Sequence, residues 1–93
     1  MKVEKRDGRI VDFDASKIEN AICKAFESIK ADTTPVKELT LDVVKVIQEQ
    51  GLEIIHIEAI QDIVEETLMQ QGFTEIARRY IKYREKRHIA RKL

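Results

Sequence analysis

Three cations, Lys5, Arg6 and Lys17, stand close to two features that ordinarily gather anions: a tight turn and a helix start. Asp7-Gly8 lies between two stretches of strand-like sequence, Val3 to Lys5 and Arg9 to Phe13. That dipeptide is a strong hairpin signal, because a two-residue primed turn needs positive φ and Gly accepts it without strain. Directly afterwards, Asp14 or Ser16 is placed to cap a helix whose first turn carries Lys17. A helix N-terminus is the positive end of the dipole and favours anions, so cations gathered there are electrostatically out of place. A bound phosphate chain removes the conflict. The plain alternative is that all three are solvated charges beside Glu4, Asp12 and Glu19, each worth little.

A second cationic group lies near the other end. From Arg78 to Lys92 the chain carries eight Lys or Arg against the single acid Glu85. With Tyr80 and Tyr83 interleaved, this stretch reads as a nucleic-acid contact, Arg and Lys on backbone phosphates and tyrosine stacked on bases. It reads equally as a solvated terminal helix. Arg84 and Arg87 are three residues apart, so one helical face can present both. Other chemistries find no support. There is no Gly-x-x-x-x-Gly-Lys-Ser/Thr loop, no Gly-x-Gly-x-x-Gly and no nucleophile elbow, so a phosphate ligand would meet no obvious catalytic base. Cys23 is the single cysteine, which excludes an internal disulfide and a cysteine-based zinc cluster. It is read as a small buried hydrophobe. His56 and His88 have no metal-ligand spacing and are read as cap or surface residues.

These groups must be positioned by one domain, 1–93, with no repeat, low-complexity segment or long linker. A chain of this length buries about two-thirds of its unfolded surface. Its apolar content, 43% with few aromatics, predicts an aliphatic core with Phe13, Phe26 and Phe73 as fillers. Seventeen cations balance seventeen anions, so net charge excludes no partner and only the distribution informs. No apolar run approaches the roughly 18 residues of a membrane span, and nothing resembles a signal peptide. A reducing cytoplasm is the expected location.

Ile18, Ile22, Ala25, Phe26 and Ile29 recur at helical spacing and predict a first amphipathic helix. Thr34 is expected to cap a second, with Pro35 at its first position, a buried stripe of Val36, Leu39, Val43, Val46 and Ile47, and Gly51 closing it. Leu52 to Ile57 fits either a third strand or the approach to a helix. Ile57, Ile60, Val64 and Leu68 predict a third helix ending near Gly72. Thr74 is expected to cap a fourth, with Ala77, Tyr80, Ile81 and Arg84 on one face. The expected fold is α+β and mostly helical: about four helices capped by a small β-hairpin or three-stranded sheet.

Three segments, in order, resemble the ATP-cone, the N-terminal nucleotide-binding regulatory domain of many ribonucleotide reductases. They are Lys5-Arg6-Asp7-Gly8 through Val11-Asp12-Phe13-Asp14 to Lys17-Ile18; then Ile57 to Glu65; then Ala77-Arg78-Arg79-Tyr80-Ile81-Lys82-Tyr83-Arg84-Glu85-Lys86-Arg87. Together they span nearly the whole chain. The resemblance implies that Lys5, Arg6 and Lys17 contact nucleotide phosphates and that Val3 and Ile18 help enclose the nucleotide. It implies that Ile57 and Ile60 wall the adenine and that Gln61 reaches the base edge, although both isoleucines also fit a purely structural core stripe. It implies that at least one of Arg84, Lys86 and Arg87 turns back to the phosphates.

The resemblance further implies a non-catalytic domain that binds ATP or dATP, with Mg²⁺ as a companion of the triphosphate. ATP would mark the active state and dATP the inhibited state of a ribonucleotide reductase, anaerobic or other, acting through conformation or oligomer state. The implied partners are the adenine nucleotide, the reductase catalytic domain or subunit, and a second copy of the chain. A membrane is not expected, and nucleic acid is the alternative partner, through a small basic helical binding module. The chain lacks the large catalytic domain of a reductase and the four-cysteine zinc ribbon of the related repressor. It ends at Arg91-Lys92-Leu93 within helical sequence, so an excised domain is expected, with a freestanding regulator as the alternative.

Overall fold

A computed structural model describes residues 1–92, with side chains through Tyr83. The elements follow in the order β1 (Lys2–Glu4), β2 (Ile10–Asp12), α1 (Ala15–Ser28), α2 (Val36–Glu49), β3 (Ile54–His56), α3 (Ile57–Gln70) and α4 (Thr74–Lys92). The expected α+β, mostly helical architecture is present, and Leu52 to Ile57 resolves into a third strand that runs straight into α3. The sheet has the order β2-β1-β3, with β1 antiparallel to β2 and parallel to β3. The helices close a ring: α2 packs on α1 and α3, and α4 packs on α3 and α1.

Alternation along the strands places Val3 and Ile55 on the buried face of the sheet, in one core with Ile18, Ile22 and Phe26 of α1, Val43 and Ile47 of α2, and Ile60, Val64 and Leu68 of α3. The α1 stripe matches the expected one through Phe26, with Ile29 partly buried. On α2 the buried row includes Thr40, whose hydroxyl donates to the Val36 carbonyl, while Val46 turns outward. Positions 36, 40, 43 and 47 lie on one helical face, and position 46 falls beside it. Phe73 packs its ring on Phe26 at a centroid distance of 5.4 Å and a tilt of 56°, a favourable aromatic geometry.

The turns differ from expectation in instructive ways. The hairpin is closed by the three residues Arg6, Asp7 and Gly8, with the Gly8 amide donating to the Lys5 carbonyl and the Lys5 amide to Arg9. Only Gly8 of the three has positive φ, +88°, which describes an ordinary turn followed by a left-handed glycine rather than a two-residue primed turn. Before α2, the Asp32 carboxylate accepts from the Thr34 amide and hydroxyl in a local turn, while the helix itself has Pro35 at its N-cap and no side-chain cap, so Thr34 does not cap it. After α3, Gly72 at φ +87° ends the helix in a Schellman arrangement, the Phe73 amide reaching back to the Leu68 carbonyl. The Phe73 carbonyl then accepts from Ala77, so α4 begins at Thr74 itself.

Candidate functional site

A cleft opens where the β1–β2 hairpin meets the first turns of α1 and α3. It is lined by Val3, Lys5, Val11, Asp12, Phe13, Asp14, Lys17, Ile18, Ile57 and Ile60. Val3 and Val11 are directly paired across the hairpin and both line the cleft. Ile18 comes one turn into α1, and Ile57 and Ile60 open α3. Val3, Ile18 and Ile60 are buried and make the floor, with half-buried Ile57 and Phe13 beside them. One side of the cleft is therefore apolar, and the rim is charged.

Asp14 is the N-cap of α1: its carboxylate accepts from the Ser16 hydroxyl at 2.6 Å and the Ser16 amide at 3.0 Å. Those bonds, the hydroxyl's first, hold its pKa below the ordinary 3.8. Asp12 is paired with Lys2, which lowers its pKa in the same way. Both acids on the rim thus have their charge committed to local partners. The first turn of α1 holds no acid, whereas Glu38, Glu58 and Glu75 open α2, α3 and α4. The positive end of α1 is reinforced by Lys17, with Lys5 also on the rim, and this is the electrostatic setting that recruits an anion.

Six of the residues singled out from sequence share this cleft: Val3, Lys5, Lys17, Ile18, Ile57 and Ile60. Two more meet each other beside it. The Arg6 guanidinium donates through Nη2 to Gln61 Oε1 at 2.8 Å, and its Nε lies 3.4 Å from Glu58 Oε1. Gln61 thus turns its oxygen to Arg6. The side chains of Arg84, Lys86 and Arg87 lie outside the described residues. Sequence reasoning passed over Val11, Asp12, Phe13 and Asp14 as lining groups. For Val11 the expected two-residue turn misled, since it would pair Val3 with Asp12 where the three-residue loop pairs it with Val11. His56 behaves as the cap it was read as, Nδ1 accepting from the Glu58 amide at 3.1 Å and so steadying the start of α3.

A larger cavity of about 410 Å³ lies between the C-terminus of α1, the α2 start and the α3–α4 turn, lined mainly by Phe26, Ile29, Pro35, Phe73 and Ile76. Its charged groups are Asp32 and Glu75, so it suits no phosphate. The hairpin cleft is smaller, about 40 Å³, roughly the volume of one water. Organic ligands ordinarily occupy about 300–1,000 Å³, so a ligand of nucleotide size requires the cleft to widen. Among the described residues there is no group of three or more His, Cys, Asp or Glu able to hold a metal. Nor is any helix long and apolar enough to cross a membrane.

Comparison with known proteins places the chain in a family. The ATP cone domain family matches residues 1–89. The chain is 42% identical over 95 residues to the vitamin B12-dependent ribonucleoside-diphosphate reductase of Thermoplasma acidophilum, covering 97% of this chain and 12% of that protein. It is 42% identical over 96 residues to the ribonucleoside-diphosphate reductase subunit alpha of Chlamydia pneumoniae, covering 94% and 9%. It is 37% identical over 89 residues to the anaerobic ribonucleoside-triphosphate reductase of Escherichia coli K12, covering 96% and 12%. The chain spans only about a tenth of the length of these relatives. Its match along residues 1–89 is nonetheless nearly end to end, and the chain belongs to the ATP-cone domain family.

Proposed function

We propose that this chain is an allosteric sensor that binds ATP and dATP in the hairpin cleft and reports their ratio to a ribonucleotide reductase. The observation that carries the proposal is one cleft uniting an apolar floor with Lys5 of the hairpin and Lys17 in the first turn of α1, where the N-cap carboxylate of Asp14 is already bonded to Ser16. Lys5 and Lys17 neutralise the phosphates, with the α1 amides and dipole behind them. Val3, Ile18, Ile57 and Ile60 supply the wall that an adenine ring needs, and Gln61 stands at its edge. Mg²⁺ would accompany the triphosphate on its own oxygens. The role is regulatory: the two nucleotides act by favouring different conformations or assemblies, since equal affinity for both would shift nothing.

The nucleic-acid reading loses support at its aromatic residues. Tyr80 is 5% exposed and belongs to the core, and the Tyr83 ring lies against Lys24 of α1, whose Nζ is 5.5 Å from the ring centroid. Base stacking requires exposed faces.

The test is the change in melting temperature with ATP for the wild type and for the Lys5→Ala/Lys17→Ala double variant. The wild type should be stabilised progressively, by about 1.4 kcal/mol per tenfold rise in ATP above Kd. Each charge-assisted contact removed should weaken binding by about tenfold or more, so the double variant should show no shift at millimolar ATP. An undiminished shift would place the ligand elsewhere.

A further inference from the structure

The structure points to Glu58 as a built-in stand-in for a ligand phosphate. We propose that Glu58 holds Arg6 beside the cleft and gives it up when a phosphate arrives. This inference rests on the cleft being the nucleotide site.

Glu4 and His56 are direct partners where β1 runs parallel to β3, so Lys5 and Ile57, which both line the cleft, follow side by side, and the next residue of each forms the bridge, Arg6 to Glu58. The β1–β3 ladder ends at Glu4 and His56, so the Arg6-Asp7-Gly8 tip beyond it is free of ladder pairing. The bridge ties the hairpin tip to the first turn of α3, so a triphosphate that draws Arg6 to itself must break it. Its two arms are unequal. The bond to Gln61 is short and partly buried, while the contact to Glu58 is 3.4 Å long with the Glu58 side chain 56% exposed. A long, exposed ion pair is weak. A phosphate offers more charge and several oxygens, and Arg pairs with it at about 2.7–2.9 Å. The exchange therefore replaces Glu58 at Nε while Gln61 retains Nη2. Glu58, left on the first turn of α3, remains at the favoured end of that helix's dipole.

The consequence is a gate: Arg6 stays on Glu58 until an anion strong enough to displace a carboxylate reaches it. The experiment measures ATP–Mg²⁺ and inorganic triphosphate affinity by calorimetry for wild type, Glu58→Gln, Arg6→Ala, and the two combined. Amide exchange of Lys5 and Gly8 is followed in the ligand-free wild type and Glu58→Gln. Removing the competitor should tighten binding by about two- to five-fold. The gain should vanish in the Arg6→Ala background, and ligand-free exchange at the tip should quicken. Unchanged or weaker binding by Glu58→Gln would overturn the gate, as would an equal gain without Arg6, which marks simple charge removal. Should the wild type bind neither ligand, the nucleotide reading itself fails. Exchange then decides the bridge alone: faster in Glu58→Gln supports it, and unchanged overturns it.

Discussion

At the scale of single residues, Lys30 is the clearest strained position. It ends α1 at φ +56°, with its amide on the Glu27 carbonyl and the Ala31 amide on Phe26, the same Schellman geometry that Gly72 serves for α3. A side chain in this region is disfavoured by about 1 kcal/mol, so Lys30→Gly should stabilise the fold by about 0.5–1 kcal/mol, read as a higher urea midpoint with unchanged m-value. Carboxylates respond to pH. Asp7 is held below 3.8 chiefly by the Arg9 amide, Asp12 by Lys2, Asp14 by the Ser16 hydroxyl and Asp32 by the Thr34 hydroxyl. A folded pKa below the unfolded one means that the contribution is complete above about pH 4 and lost as pH falls through the depressed values. Urea midpoints should decline as pH falls from 5 toward 3. Asp14→Asn and Asp32→Asn should together flatten that decline. Lys5, Lys17 and the Asp14 cap were legible because their chemistry is local to a few residues. The Arg6–Gln61 bond was not, because its partners are 55 positions apart and only the fold brings them together.

At the scale of elements, one residue of loop length decides what the site contains. With Asp7-Gly8 alone as the turn, Val3 would face Asp12; with Arg6, Asp7 and Gly8 in the loop it faces Val11. A register shift of one turns every side chain to the opposite face, which is why Val11 was missed as a lining residue. Deleting Gly8 should therefore disrupt the sheet and the cleft together, visible as lost ATP binding with a lower melting temperature. The helices were easier to read because their stripes repeat over several turns, whereas the three-residue β3 has too few positions for periodicity to show. Ile22 of α1 is fully buried, and Ile22→Ala should cost about 2–5 kcal/mol by transfer and cavity terms. That is a large share of the roughly 5–15 kcal/mol of a small domain. The charge variants Lys5→Ala and Lys17→Ala should lose ligand instead while leaving stability nearly intact. The contrast separates elements that hold the fold from groups that serve the site.

At the scale of the whole molecule, the two ends divide the work. The hairpin end carries the narrow, charged cleft, and the opposite end carries the apolar cavity against the α1–α2 and α3–α4 connections. α1 and α3 both begin at the cleft and α4 packs on each, so under the proposed function these helices are the path by which a bound nucleotide would be felt at a neighbouring catalytic domain. The central claim is that the cleft reads adenine nucleotides, and isothermal titration of the purified chain with ATP, dATP and GTP, with Mg²⁺ at near-physiological salt, tests it most directly. The account predicts saturable binding of ATP and dATP, rejection of GTP, and loss of both in Lys5→Ala/Lys17→Ala. Absence of heat and of thermal stabilisation with every nucleotide, or equal binding of GTP, would contradict it.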